Sequence, residues 1–190
     1  MRWEDVGNIY RASGFSREDR EPHDYYATPP EAVERLLEFE KFNHRILEPC
    51  CGEGHISRVL AAHGHEVVSY DLIDRGFGIG GVDFLKLGAI QDADIITNPP
   101  YKESTKLVRH ALDIQQEGRK VAMLLKIQFL EGLDRAQLFD DHPPKKIYVF
   151  SKRIKCAKNG DFSCGAGTIC FAWYIWQKGY KGETILKWLK

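Results

Sequence analysis

Four consecutive residues, Asn98-Pro99-Pro100-Tyr101, place a carboxamide, two stiff prolyl units and a phenol ring directly after a short apolar run, Asp94-Ile95-Ile96-Thr97. The carboxamide oxygen and a prolyl carbonyl both accept hydrogen bonds, and a phenol ring offers a face for stacking. Together they suit a flat, amino-bearing substrate. The apolar run reads as a buried strand, and two prolines cannot continue its ladder, so the chain leaves in a stiff, extended exit. That puts the chemistry at the strand's carboxyl end, where open α/β sheets take their ligands. Ordinary strand-ending turns use the same residue types, so the motif gains its meaning from what surrounds it.

Upstream, Arg45-Ile46-Leu47-Glu48 reads as a strand that runs through Pro49-Cys50-Cys51 into Gly52-Glu53-Gly54-His55 and then into a helix with Ile56, Val59 and Leu60 on its inner face. Gly52 and Gly54 let the backbone pass close to a ligand, although the third glycine of a dinucleotide turn is missing. A carboxylate at Glu48 would repel a pyrophosphate and welcome an ammonium group. The next strand, Glu66 to Tyr70, ends in Asp71, about twenty residues after the glycine turn, where a ribose-binding acid belongs in a Rossmann-like unit. Beyond the glycine-rich stretch Gly76 to Gly81, Asp83 and Phe84 pair an acid with a ring in a loop.

The elements that must carry these groups follow from periodicity. Thr28, Pro29 and Glu31 have the spacing of a helix cap, a first-turn proline and a reach-back acid, ahead of the stripe Val33, Leu36, Leu37. Leu107, Val108, Ala111 and Leu112 mark a second amphipathic helix. Lys120 to Lys126 and Lys146 to Ser151 read as strands and Leu133 to Phe139 as a helix. Ile169 to Gln177, with Phe171, Trp173, Tyr174 and Trp176, reads as a central ring-bearing strand, and Trp188 as a cover for its edge. Strands and helices alternate, which gives an α/β domain over residues 25–190 on a mainly parallel sheet. Residues 1–24 are polar and mixed in charge, an arm ahead of that domain.

Composition narrows the class. Hydrophobic content of 43% and charge of 28% belong to a globular chain, and no apolar stretch reaches the roughly 20 residues of a membrane helix. A cytoplasmic location is expected from that and from an amino terminus unlike a signal peptide. Five cysteines, two of them adjacent, point to reduced thiols, and Cys156, Cys164 and Cys170 lack zinc-ligand spacing, so no metal is expected. The formal net charge of zero hides an asymmetry: Lys145 to Lys190 holds ten Lys/Arg against two Asp/Glu. Within it, residues 152–168 form a basic, glycine-bearing loop with Arg153, Lys155 and Lys158, a candidate surface for a polyanion.

In this order, Thr28-Pro29, then Glu48-Pro49-x-x-Gly52-x-Gly54, Asp71, Asp83-Phe84 and Asn98-Pro99-Pro100-Tyr101, the motifs resemble the S-adenosylmethionine-dependent amino-methyltransferases of the adenine-N6 type. The size and the Phe171-Ala172-Trp173 strand resemble the small stand-alone enzymes of phages and prophages. The resemblance covers about residues 25 to 177. It implies a class I methyltransferase fold, a Rossmann-like seven-stranded sheet with an antiparallel last hairpin, and S-adenosylmethionine as cofactor. Glu48, Pro49, Gly52 and Gly54 would then surround the cofactor's methionine part, Asp71 its ribose, and Asp83 with Phe84 its adenine. Tyr26, Thr28 and Pro29 would meet its carboxylate, with Asn98 beside the methyl group. Asn98, Pro99, Pro100 and Tyr101 would form the catalytic motif; Tyr101, Arg153, Lys155, Lys158 and Trp173 would meet the substrate.

Two departures stand out. Cys50-Cys51 fills a turn where small residues are frequent, and no separate target-recognition domain follows the last strand. The resemblance ranks adenine in DNA first as substrate, adenine in RNA second and protein glutamine third, since all three present planar amino groups. A non-catalytic nucleic-acid-binding module on the same scaffold is the reading from a different class.

Overall fold

The computed structural model describes residues 25–158 and 169–190. The expected arm of residues 1–24, and residues 159–168 of the basic loop, lie outside the described residues. Within them the chain runs β1 (Tyr26–Ala27), α1 (Pro30–Phe39), β2 (Arg45–Glu48), α2 (His55–Ala62), β3 (Glu66–Ser69), β4 (Asp94–Thr97) and α3 (Ser104–Ile114). It continues through β5 (Lys120–Lys126), α4 (Leu133–Asp141), β6 (Lys146–Phe150), β7 (Ala157–Lys158), β8 (Phe171–Gln177) and β9 (Ile185–Leu189).

Seven strands form one sheet in the order β3-β2-β4-β5-β8-β6-β9, while β1 and β7 pair separately. The pairs β2·β3, β2·β4, β4·β5 and β6·β9 are parallel, and β8 runs antiparallel between β5 and β6. The expected mainly parallel α/β sheet is therefore present, with β8 as its one reversed strand. From β2 the chain steps outward to β3 and then returns to the other side as β4. That reversal opens a crevice beyond the carboxyl ends of β2 and β4, the place where such sheets bind ligands. Glu48 ends β2 and Asn98 follows β4, so the two polar motifs meet there.

Period-two alternation explains the two-sided core. On one face, Ile96, Ala122, Leu124, Trp173 and Ile175 pack against α1 and α2 through Val33, Leu36, Ile56 and Leu60. On the other, Ile95, Val121, Met123, Tyr174 and Trp176 pack against α3 through Leu107, Val108 and Leu112. With both faces covered, β4, β5 and β8 are almost continuously apolar, as buried strands are.

Three expectations are corrected. Trp173 is fully buried and donates its indole N–H to the Ala32 carbonyl at 2.9 Å, so it belongs to the core and not to a substrate surface. Helix α1 begins one residue later than the cap spacing suggests: Pro30 opens it and Pro29 sits at the cap position with φ −65° and ψ 137°. A proline following Pro29 keeps it extended, and Thr28 makes no side-chain cap. Trp188 does not cover the sheet edge; it is 59% exposed on β9, which itself forms the edge.

At the opposite, amino-terminal side of the sheet, Glu40 terminates α1 and is 6% exposed. Its carboxylate receives Lys120 Nζ at 2.5 Å, Lys146 Nζ at 2.7 Å and the Tyr148 hydroxyl at 2.8 Å. Burial alone would raise its pKa, but these three hydrogen bonds outweigh burial and hold it below the ordinary 4.5. One acid thereby pins α1 to β5 and β6. Because the folded-state value is depressed, this stabilisation is present above pH 4.5 and is lost as pH falls through the lower folded value. Glu40→Ala should cost about 3 kcal/mol at pH 7, since it strands two partly buried cations. Denaturant unfolding of both proteins at pH 7 and pH 3.5 should show that gap narrowing on acidification.

Candidate active site

The crevice beyond β2 and β4 holds a cavity of about 160 Å³ that opens to solvent at its mouth. Its walls bring together Tyr26, Thr28, Glu48, Pro49, Asp71, Asp83, Phe84 and the whole Asn98-Pro99-Pro100-Tyr101 stretch. Eleven of the residues singled out in the sequence thus share one cavity.

Asn98 is held from the β1 side. Its amide nitrogen donates to the Tyr26 carbonyl at 2.9 Å and to Thr28 Oγ1 at 3.1 Å. Its amide oxygen is buried and has no hydrogen-bond partner among the described residues. A buried polar atom left unsatisfied costs about 1–3 kcal/mol and in a native protein calls for an explanation. An acceptor kept bare at the carboxyl end of a strand is what a substrate N–H donor would fill. Tyr101 stands next to it, its ring 5.9 Å from that of Tyr26 and 5.7 Å from that of Phe171, with the Lys126 ammonium 4.6 Å from its centroid. The phenol is therefore braced by rings on the protein side.

The glycine turn is shaped for close approach. Gly52 and Gly54 have φ of +56° and +81°, a region L side chains rarely adopt. A Cβ on Gly52 would overlap the Tyr25 ring, and one on Gly54 the Phe77 ring. Pro29, Gly52 and Gly54 support the cavity without forming its wall. Asp71 ties two loops together: one carboxylate oxygen accepts from Gly52 N–H at 2.8 Å and the other from Ile73 N–H at 2.9 Å. Each oxygen keeps lone pairs for a hydroxyl donor in the cavity. Asp83 caps a short turn through Leu85 N–H at 3.1 Å, and Phe84 is buried with the edge of its ring set against His110.

Glu48 is 1% exposed. It accepts from Ser57 Oγ, which also lies 2.6 Å from Ser69 Oγ. Burial pushes its pKa up to about 8, with Asp71 adding to the rise and the Ser57 bonds only partly opposing it. A cation arriving beside it would restore the charged form. Such a site therefore fits the ammonium of a methionine-derived cofactor, Asp71 fits ribose hydroxyls, and the apolar Phe84 wall fits a purine. The Cys50-Cys51 departure is accommodated: Cys51 is buried, its thiol is pushed up to about 12 mainly by burial, and it donates to the Phe77 carbonyl at 3.6 Å. Burial of this kind disfavours the thiolate, the nucleophilic form.

Other site residues escaped the sequence reading. Tyr25 donates its hydroxyl to Glu53 at 3.1 Å and stacks under Arg75 at 4.4 Å, while Arg58 lies 4.8 Å from the Phe77 ring. Tyr25 was legible as the neighbour of Tyr26. Phe77 and Arg75 sit in a glycine-rich loop whose composition gives no hint of direction, and Ser57 looks like any small residue on a helix. Arg153 and Lys155 are exposed and outside the cavity wall, flanking Ile154, which is buried in the core. The Lys158 backbone pairs with Tyr26 in the β1·β7 ladder. Among the described residues there is no cluster of metal-ligating side chains, and no helix is long and apolar enough to cross a membrane.

No family model matches the chain, and no curated protein does. Solved structures do share its architecture. A protein of Listeria monocytogenes, provisionally named a class I S-adenosylmethionine-dependent methyltransferase, is 13% identical and superposes over 90% of this chain and 68% of its own, with a TM-score of 0.56. A predicted O-methyltransferase of Agrobacterium tumefaciens is 15% identical over 84% of this chain and 85% of its own, at 0.60. Magnesium protoporphyrin IX methyltransferase of Synechocystis, solved with S-adenosylmethionine bound, is 13% identical over 79% of each chain, at 0.54. At these identities the likeness speaks for the scaffold alone, and the scaffold is clear: this chain has the fold of the class I S-adenosylmethionine-dependent methyltransferases.

Proposed function

We propose that the protein transfers a methyl group from S-adenosylmethionine to the exocyclic amino group of adenine, in DNA first and RNA second. The observation that carries this reading is the bare, buried oxygen of Asn98 at the mouth of β4. The cofactor would lie along Glu48, the glycine turn, Asp71, Asp83 and Phe84, and it supplies a methyl group made electrophilic by a sulfonium.

The work of the chain is on the nucleophile. An adenine amino group is poorly nucleophilic because its lone pair is delocalised into the ring. Asn98 Oδ1 accepts one of its hydrogens and the Pro99 carbonyl the other, which draws the nitrogen toward a tetrahedral shape. The freed lone pair forms the new N–C bond while the methyl group's bond to sulfur breaks, and the surplus proton passes to solvent. Most of the acceleration then comes from position and preorganised polarity. Tyr101 offers the flat surface for the base, and a duplex base must first be turned out of the stack at a cost of a few kcal/mol. Lys152, Arg153 and Lys155, all exposed, would take the phosphodiester backbone.

Incubation with labelled S-adenosylmethionine and duplex DNA, single-stranded DNA, RNA or protein extract should yield N6-methyladenine in the DNA samples. Label confined to RNA or protein would move the substrate, and none at all would remove the activity. Asn98→Ala should lower turnover on the order of 10²-fold with cofactor affinity nearly unchanged, as calorimetry with S-adenosylhomocysteine would report.

Glu48 makes cofactor binding pH-dependent. Its carboxyl is mostly protonated in the free protein below about pH 8 and must ionise to meet an ammonium. Affinity should therefore rise with pH toward about 8 and fall again above it as the ligand's own ammonium loses its proton. Glu48→Gln should flatten that profile in titrations from pH 6 to 9.

A further inference from the structure

An amide can face its surroundings in two ways, and only one leaves its oxygen to the cavity. The Tyr26 carbonyl can only accept a hydrogen bond, so the Asn98 amide atom 2.9 Å from it must be the nitrogen. Reversal would press two carbonyl oxygens together at that distance. The second amide hydrogen goes to Thr28 Oγ1 at 3.1 Å, which uses both donors and leaves Oδ1 bare.

We propose that Thr28 is a positioning residue: its hydroxyl, together with the Tyr26 carbonyl, locks the Asn98 carboxamide with its oxygen aimed at the substrate amino group. This rests on Asn98 being the acceptor described above, and it gives Thr28 a role different from that of a ligand for the cofactor's carboxylate. The hydroxyl can hold such a lock because it cannot move. Thr28 is 3% exposed and Ala27 2% exposed. Ala27 is paired with Ala157 across the β1·β7 ladder, and Pro29 and Pro30 stiffen the chain on the other side. Without the hydroxyl, one amide hydrogen is left buried and unpaired, and the amide can rotate about its last torsion to relieve it. The oxygen then no longer points along one line. Turnover suffers while the cofactor's own contacts at Glu48, Asp71 and Asp83 are untouched.

The test uses the full chain with Thr28→Val, which keeps the shape and removes the acceptor, and Thr28→Ser, which keeps the acceptor. Thr28→Val should lower kcat on the order of tenfold, the effect of losing one hydrogen-bond partner. Its affinity for S-adenosylhomocysteine should stay within about twofold, and Thr28→Ser should recover kcat to within about twofold. In NMR spectra of the chain labelled at asparagine side chains, the Asn98 amide hydrogens should exchange with water faster in Thr28→Val than in wild type. A Thr28→Val protein that loses cofactor affinity but keeps kcat would make Thr28 a cofactor ligand and overturn the proposal. If the wild-type chain methylates nothing, the reading of its function fails. The Asn98 amide signals still decide the lock, and identical exchange in the two proteins would refute it.

Discussion

The candidate site depends on a constraint that is small in extent: one hydrogen of a side-chain amide is committed to a two-residue strand outside the main sheet, and the other to the residue that follows that strand. Asn98 reaches from the end of β4 to the Tyr26 carbonyl and the Thr28 hydroxyl, and its oxygen is left with nothing to bond. A buried oxygen without a protein partner costs stability, and the surrounding elements hold it in place. Strand β4 is buried along its length and flanked by β2 and β5, which holds the start of the motif in place. Strand β1 is fixed by its ladder to β7 and by two prolines at the entrance to α1. Preorganised acceptors of this kind are useful because no reorganisation is needed when charge shifts at the reacting nitrogen.

Electrostatics divides the cavity into two ends. Near β2, Glu48 lies among buried groups where its charge is disfavoured, and Asp71 is held by backbone N–H groups of two loops. Two acids close together repel each other, which raises the Glu48 pKa and favours a cationic guest between them. Near β4 there is no acid at the motif itself; the groups are an amide, prolines and a phenol ring with the Lys126 ammonium beside it. The basic residues 152–155 lie on the segment that leads into β7. The strand that orients Asn98 is thus laddered to the continuation of the segment proposed to meet a polyanion.

Much of this was legible because the informative residues obey local rules. Buried strands announced themselves as apolar runs, and Asn98-Pro99-Pro100-Tyr101 marked a strand end because prolines cannot extend a ladder. Glu48 was found because an acid before a glycine turn would repel a pyrophosphate, and Asp71 because it ends a strand about twenty residues beyond that turn. What stayed hidden depended on contacts between distant parts of the chain. Thr28 has the composition of a helix cap, yet its hydroxyl is claimed by a residue 70 positions away. Trp173 carries a ring that could stack on a base, but the alternation of β8 turns it toward α1, where Ala32 takes its N–H. Ser57 and Phe77 have no periodicity or charge that could announce them. Strand β9 was missed because its five residues, exposed up to Leu189, show no alternation that would mark a strand.

The most direct measurement is a crystal structure of the chain with S-adenosylhomocysteine and a short adenine-containing oligonucleotide. The account predicts the adenine amino nitrogen about 3 Å from Asn98 Oδ1, at hydrogen-bonding distance, with the base against Tyr101 and the amide nitrogen still bonded to the Tyr26 carbonyl. An Asn98 amide turned over, with its oxygen bound by the cofactor or by the protein and the base lodged elsewhere, would contradict it.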